Sequence, residues 1–336
     1  MQRATPWILA AVLTVLSPSR PAAWDRGRVQ RFATLPDGAA GPEGLEVDPA
    51  GNVYVAGFGA ASGHGEIDVF DRHGRHLRRL EVTGCSPSPL GLAWQGSTGR
   101  LLVADFGASP VLSIDPASGG STVFMTLPTL PHPGGAGLND LTFDRAGNLY
   151  VSDSFQGIVW KVGPAGGRAT AWVDDPLLRT AGVPPFGANG LRFDPGERTL
   201  YVANTGDDTV LRIPVAGGVP GAAAPFVTGI NGADGLLVDA HGNLWIAANQ
   251  ADEIVVVDPE GRTIAKLGDF DGIDRSGAAA GLLFPASLRL LGGDLLVTNL
   301  ALDLRLFNPA FSSGDSAWAA ETHRHTVARI RAHLRP

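Results

Sequence analysis

Asn139-Asp-Leu-Thr-Phe-Asp-Arg-Ala-Gly-Asn-Leu-Tyr-Val-Ser-Asp153 reads as a short apolar strand, a tight turn and a second strand, and its plan recurs along the chain. The recurrences begin at Glu43-Gly-Leu-Glu-Val-Asp, Leu90-Gly-Leu-Ala-Trp, Asn189-Gly-Leu-Arg-Phe-Asp, Asp234-Gly-Leu-Leu-Val-Asp and Ala286-Ser-Leu-Arg-Leu. With the first, they make six units spaced 45 to 52 residues apart. In the turns Asp48-Pro-Ala-Gly-Asn, Asp144-Arg-Ala-Gly-Asn and Asp239-Ala-His-Gly-Asn, glycine supplies a positive φ and aspartate can accept from the turn amides. A third, β-rich strand follows in each unit, as in Glu253-Ile-Val-Val-Val, then a weaker fourth, as in Thr263-Ile-Ala-Lys-Leu.

Four antiparallel strands in each of six units predict an all-β, six-bladed β-propeller, because one unit cannot bury its own apolar faces and a closed ring can. Thr326-Val-Ala-Arg-Ile offers a strand to the last blade, and Val29-Gln-Arg-Phe-Ala-Thr-Leu is a spare strand placed to clasp it. An open solenoid is the architectural alternative, and a short helix over 319–334 a local one. The 45 glycines and 25 prolines suit a turn-dense fold. A net charge of −7, with lysine only at Lys161 and Lys266 and no basic tract, argues against nucleic-acid binding.

Residues 1–23 read as an export signal: Arg3, then the ten-residue apolar run Trp7 to Leu16, then small residues up to Ala23. A membrane-spanning helix needs roughly 20 apolar residues, so that run does not span, and no later segment does. The expectation is a periplasmic or secreted protein with one propeller domain over 24–336; the other reading is an apolar N-terminus on a cytosolic chain. Cys85 is the only cysteine, so no intrachain disulfide is possible.

The first residues of the six units are Glu43, Leu90, Asn139, Asn189, Asp234 and Ala286. In a closed ring they face one axis at one mouth. Two carboxylates a few ångströms apart repel by roughly 4 kcal/mol at an effective dielectric near 20, and a cation removes that penalty. Glu43, Asn139, Asn189 and Asp234 are hard oxygen donors without His or Cys, which suits Ca²⁺, with Mg²⁺ or Mn²⁺ as alternatives, and not zinc. The other reading takes such residues as turn caps. Leu90 and Ala286 would be wall.

This pattern resembles the senescence-marker-protein/gluconolactonase family of regucalcin-like lactonases and, more distantly, the paraoxonases and the diisopropyl fluorophosphatase. The resemblance spans roughly residues 29–332 and rests on Pro42-Glu43-Gly44, Asn139-Asp140, Asn189-Gly190-Leu191 and Asp234-Gly235. It implies Glu43, Asn189 and Asp234 as ligands of a catalytic divalent ion. It implies Asn139 as a ligand or substrate contact, in a hydrolase of lactones or phosphoesters. Sugar-lactone members tend to carry arginine two residues before the Asn of the Asn-Asp pair; Gly137 stands there in this chain.

Asp234 is a candidate proton acceptor or nucleophile as well as a ligand. His132, in a proline-flanked loop seven residues before Asn139, is placed to overhang the same mouth as a base; the plain alternative is a solvated loop histidine. Asp105, Asp153, Asn204, Asn249 and Asn299, ending the second strands, are expected to bond the turn into the third strand, away from the ligand-bearing mouth. Asp140 could help a second ion in the channel. No nucleophile elbow, His-Glu-x-x-His, Walker loop or dinucleotide fingerprint occurs.

The expected function is an exported, calcium-dependent hydrolase acting on a small-molecule lactone or ester. The alternatives are a non-catalytic propeller that binds a protein or glycan, with exposed aromatics around its mouth, and a propeller lyase or synthase of the strictosidine-synthase type.

Overall fold

A computed structural model of the chain describes residues 25–312 and 314–332; the proposed export signal lies outside the described residues. Six antiparallel sheets each begin with an inner strand: 41–47, 89–95, 138–143, 188–193, 233–238 and 285–291. Successive inner strands contact one another, and the sixth contacts the first. The six-bladed β-propeller is therefore closed, and the open solenoid is excluded. Gln30–Thr34 pairs antiparallel with Thr326–Arg331 as the outer strand of blade six, so the first described strand closes the ring with the last. A helix does form near the end, at Gly314–Ala320, upstream of that strand and not over 319–334.

The repeat explains the packing. Each of six apolar layers is shared between two neighbouring blades; Leu102, Val111 and Met125 of blade two, for example, pack on Leu141, Val151 and Trp160 of blade three. The turn aspartates work as their sequence suggests. Asp48 Oδ1 accepts from Asn52 N at 2.8 Å and Asp144 Oδ1 from Asn148 N at 2.9 Å, with Gly51 and Gly147 at φ of 85° and 83°. Their second oxygens accept from Tyr54 Oη at 3.2 Å and Tyr150 Oη at 3.1 Å, which anchors the large side chain of the next strand. A hairpin at Phe270–Ile273 and Ala279–Gly281, between blades five and six, has no counterpart in the repeat. Among the described residues, no helix is long and apolar enough to cross a membrane.

One local feature positions the site. At the start of every inner strand the pairing slips by one residue, between Pro42 and Leu45, Pro89 and Leu92, Leu138 and Leu141, Ala188 and Leu191, Ala233 and Leu236, and Pro285 and Leu288. Such a bulge re-aims a side chain at the rim of a closed sheet. The extra residues are the repeat's opening pairs, from Glu43-Gly44 to Ala286-Ser287. In blades one, two, four and five the second member is glycine for a reason. A Cβ on Gly44 would lie 2.1 Å from Leu90 O, and one on Gly190 would lie 2.4 Å from Asp234 O.

Candidate metal centre and active-site cleft

Glu43, Asn139, Asn189 and Asp234 all line one cleft at the channel mouth, and each is buried, with 4–7 % of its surface exposed. Leu90 lines the same cleft as wall. Ala286 is fully buried.

The support for these residues comes from the ends of the second strands. In an antiparallel pair, the end of one strand lies opposite the start of the other. Asp105, Asp153, Asn204 and Asn299 accordingly face the residues that precede each bulge, at the same end of the ring as the ligands. The expectation that they lie away from that mouth is corrected. Their bonding role is nonetheless structural: Asp153 Oδ1 accepts from Gly137 N at 2.8 Å, and Asp105 Oδ2 from Ser86 N at 2.9 Å.

Asn249 does not belong with those four. It stands one residue later in the repeat, in register with Ser154 and Thr205. It lines the cleft, and its Nδ2 donates to Asp234 Oδ2 at 3.1 Å. In the same way Asn139 Nδ2 donates to Ser154 Oγ at 3.2 Å and Asn189 Nδ2 to Thr205 Oγ1 at 2.9 Å. Ser154 Oγ donates onward to Ala188 O and Thr205 Oγ1 to Ala233 O, both at 2.7 Å. With its hydrogen committed, each hydroxyl can only accept from the amide. Both amides are thus locked with nitrogen engaged and oxygen free. The sequence reading missed Ser154 and Thr205; aligning second strands one residue past their ends would have found them.

Glu43 Oε2, Asn139 Oδ1 and Asn249 Oδ1 are buried without any hydrogen-bond partner. Orphaned buried acceptors are costly, about 1–3 kcal/mol each, and call for an explanation. Burial, with repulsion from Asp234 and Asp140, pushes the Glu43 carboxyl well above the usual carboxylate range. Burial first, then the charge of Asp140, pushes Asp234 up to about 7 against the opposing hydrogen bonds from Asn249 and Asn189. Among the described residues no three His, Cys, Asp or Glu side chains group as a metal site, because the donors here are two carboxylates with amides. Hard, unpartnered oxygens around paired carboxylates fit a hard divalent cation.

Two residues depart from expectation. His132 does not line the cleft; its Nε2 meets Asp174 Oδ2 at 2.8 Å and Arg179 Nη2 at 2.5 Å, and these contacts hold its ring at the outer strand of blade three. Asp140, expected to help a second ion, points its charge at Arg192, with Nη1 to Oδ2 at 2.7 Å.

Residues 81–268, more than half of the chain, match the family model for the SMP-30/gluconolactonase/LRE-like region. The chain belongs to that family. No curated protein sequence matches the chain. Solved structures share its architecture. A calcium-binding protein, regucalcin, from Agrobacterium tumefaciens is 22 % identical with a TM-score of 0.61, over 92 % of this chain and 96 % of its own. A gluconolactonase from Xanthomonas campestris is 17 % identical with a TM-score of 0.62, over 94 % and 99 %. Virginiamycin B lyase from Staphylococcus aureus is 12 % identical with a TM-score of 0.55, over 91 % and 99 %. At these identities the likeness establishes the fold, and the fold alone carries different chemistries.

Proposed function

We propose that this family member is a calcium-dependent hydrolase of lactones or related esters, exported by the segment 1–23. The observation that carries the proposal is the set of unpartnered buried oxygens on Glu43, Asn139 and Asn249 beside the raised Asp234 carboxyl. Glu43, Asn139, Asn189 and Asp234 would hold the ion, with Mg²⁺ or Mn²⁺ as lesser candidates. A bound calcium ion would supply Lewis acidity to the substrate carbonyl.

The chain's own groups do the rest. Ser154 and Thr205 fix the two amides with oxygen inward, so the donors need no reorganisation when substrate enters. Asn249 restrains Asp234 at Oδ2 and so orients the carboxylate that would take a proton from attacking water. His132 has no part in this, being held outside the cleft by Asp174. The apolar wall formed by Phe58, Leu90 and Phe106 excludes bulk water from the reacting centre.

A second reading, a non-catalytic binding propeller, draws on the exposed Phe155, Leu306 and Phe307. It gives no reason for paired carboxylates at the ring centre. Calorimetric titration with calcium separates the two, with the wild-type chain from residue 24 run beside Asp234→Ala. Saturable binding that the variant loses supports the hydrolase. A wild type that binds no calcium and hydrolyses no ester in its presence removes it.

A further inference from the structure

Resting on that hydrolase reading, we infer that the substrate is an apolar lactone or ester, with an alkyl or aryl substituent, and not a polyhydroxylated one. The first observation is a count. Of the fourteen residues lining the cleft, five are polar (Glu43, Asn139, Asn189, Asp234 and Asn249) and the other nine are Phe, Leu or Pro. No Lys, Arg, His, Ser, Thr, Tyr or Trp lines it. Each asparagine Nδ2 commits one of its two hydrogens, to Ser154, Thr205 and Asp234. The cleft's side-chain donors and acceptors are therefore few and gathered at the ring centre. A bound sugar lactone would set the hydroxyls that lie away from that centre against Phe and Leu side chains, without partners, which binding sites reject strongly.

The second observation is a connected wall of phenyl rings. Phe106 meets Phe58 at 6.3 Å, Phe155 at 5.2 Å and Phe186 at 6.1 Å between ring centroids. Phe186, from the loop before blade four, reaches Phe307 of blade six at 5.2 Å, so two loops meet edge to face over the mouth. Edge-to-face and offset rings are a favourable bed for another apolar group. Phe155 and Phe307 remain 44 % and 40 % exposed, which extends the wall out to solvent.

The third observation is that a side chain at position 137 would have to displace this wall. A Cβ there would lie 2.8 Å from Phe155 Cδ2 and 3.0 Å from Phe106 Cε2. The rings occupy the space a substrate-holding side chain would need.

The test uses the calcium-supplied chain and γ-lactones of increasing alkyl length, beside D-glucono-δ-lactone. Calorimetry of two unreactive lactams, one alkyl-substituted and one polyhydroxylated, runs in parallel. Each added methylene should raise kcat/KM about fourfold until the cleft is filled. Phe186→Ser and Phe307→Ser should flatten that rise, and the alkyl lactam alone should bind. A preference for gluconolactone, a flat series, or equal binding of the two lactams overturns the inference and leaves the hydrolase standing. Selective binding of the alkyl lactam with no lactone hydrolysed supports the apolar cleft and overturns the hydrolase.

Discussion

Blades three, four and five set Asn139, Asn189 and Asp234 at the bulge and Ser154, Thr205 and Asn249 behind them; blades six, one and two set Ala286, Glu43 and Leu90 at the bulge and Leu300, Phe58 and Phe106 behind. The backbone is the same in both halves, down to the one-residue slip in every inner strand. Only the side chains differ. One arc is a layer of donors held by a second polar layer, and the other is an apolar wall. A charge set against such a wall is less screened than one in water, so the division strengthens whatever the polar arc binds. The repeat supplies geometry six times, and the chemistry comes from filling two register positions differently.

Glu43 is the exception that joins the arcs, and removing its charge should have the largest effect. Its blade offers Phe58 where the polar blades offer a hydroxyl or amide, so Oε2 is left bare. Glu43→Gln keeps the shape and takes away one of two carboxylates. Calcium affinity measured by calorimetry should fall by roughly two orders of magnitude or more, since losing even an outer partner of a metal site costs about 10–100-fold. A loss below tenfold would mean that the polar arc binds the ion by itself.

Behind the apolar arc the counterpart is Asp252, a buried residue with positive φ whose Oδ1 accepts from Phe284 N at 2.7 Å. Burial, with repulsion from Asp315 and Asp269, pushes it up to about 7. The folded chain therefore keeps a proton that the unfolded chain releases near pH 4. Stability is fully present below that pH and is lost as pH rises through about 7. In calcium-free urea denaturation, Asp252→Asn should remove its share of that decline, leaving the shares of Glu43 and Asp234, and stabilise the chain at pH 8 by at most about 4 kcal/mol relative to wild type. Parallel pH profiles for variant and wild type would show that the carboxyl is already ionised in the fold.

How much of this was legible in the sequence follows from what each feature depends on. The ring was legible because Asp-x-x-Gly-Asn turns and alternating strands are local, and the clasp at Gln30–Thr34 because blade six lacked an outer strand. The ligand positions were legible as a column through the repeats. The second polar layer was not, because Asn249 was aligned with Asn204 and Asp153 when its partners in the ring are Thr205 and Ser154. A one-residue shift in a strand turns a side chain to the other face, so that error exchanged a site residue for a turn residue. The bulges were not legible either, since no single residue type marks them. His132 was assigned to the mouth from its loop alone, and its partners Asp174 and Arg179 lie 42 and 47 residues away in sequence.

The register correction makes its own prediction. Asn249 and Leu300 occupy equivalent places on opposite arcs, and both line the cleft. Asn249→Ala frees Asp234 Oδ2 and should lower calcium affinity about 10–100-fold. Leu300→Ala should leave affinity within about threefold. Equal effects would mean that the arcs do not divide the work.

The finest test lies within the polar arc, at Thr205. Its hydroxyl does two things at once: it accepts from Asn189 Nδ2 at 2.9 Å and donates to Ala233 O of the next blade at 2.7 Å. Thr205→Val preserves volume and removes both bonds. The loss of the bridge should destabilise the fold by about 1–2 kcal/mol, because Ala233 O stays buried without that donor. If the hydroxyl also fixes the amide, Asn189 becomes free to turn, and calcium affinity should fall a further few-fold. Thr205→Ser keeps the hydroxyl and should recover both properties. Stability lost with affinity unchanged would show that Thr205 ties two blades together and does not orient Asn189. The same pair of measurements on Ser154→Ala would then decide whether any hydroxyl of this layer reaches the ion through its amide.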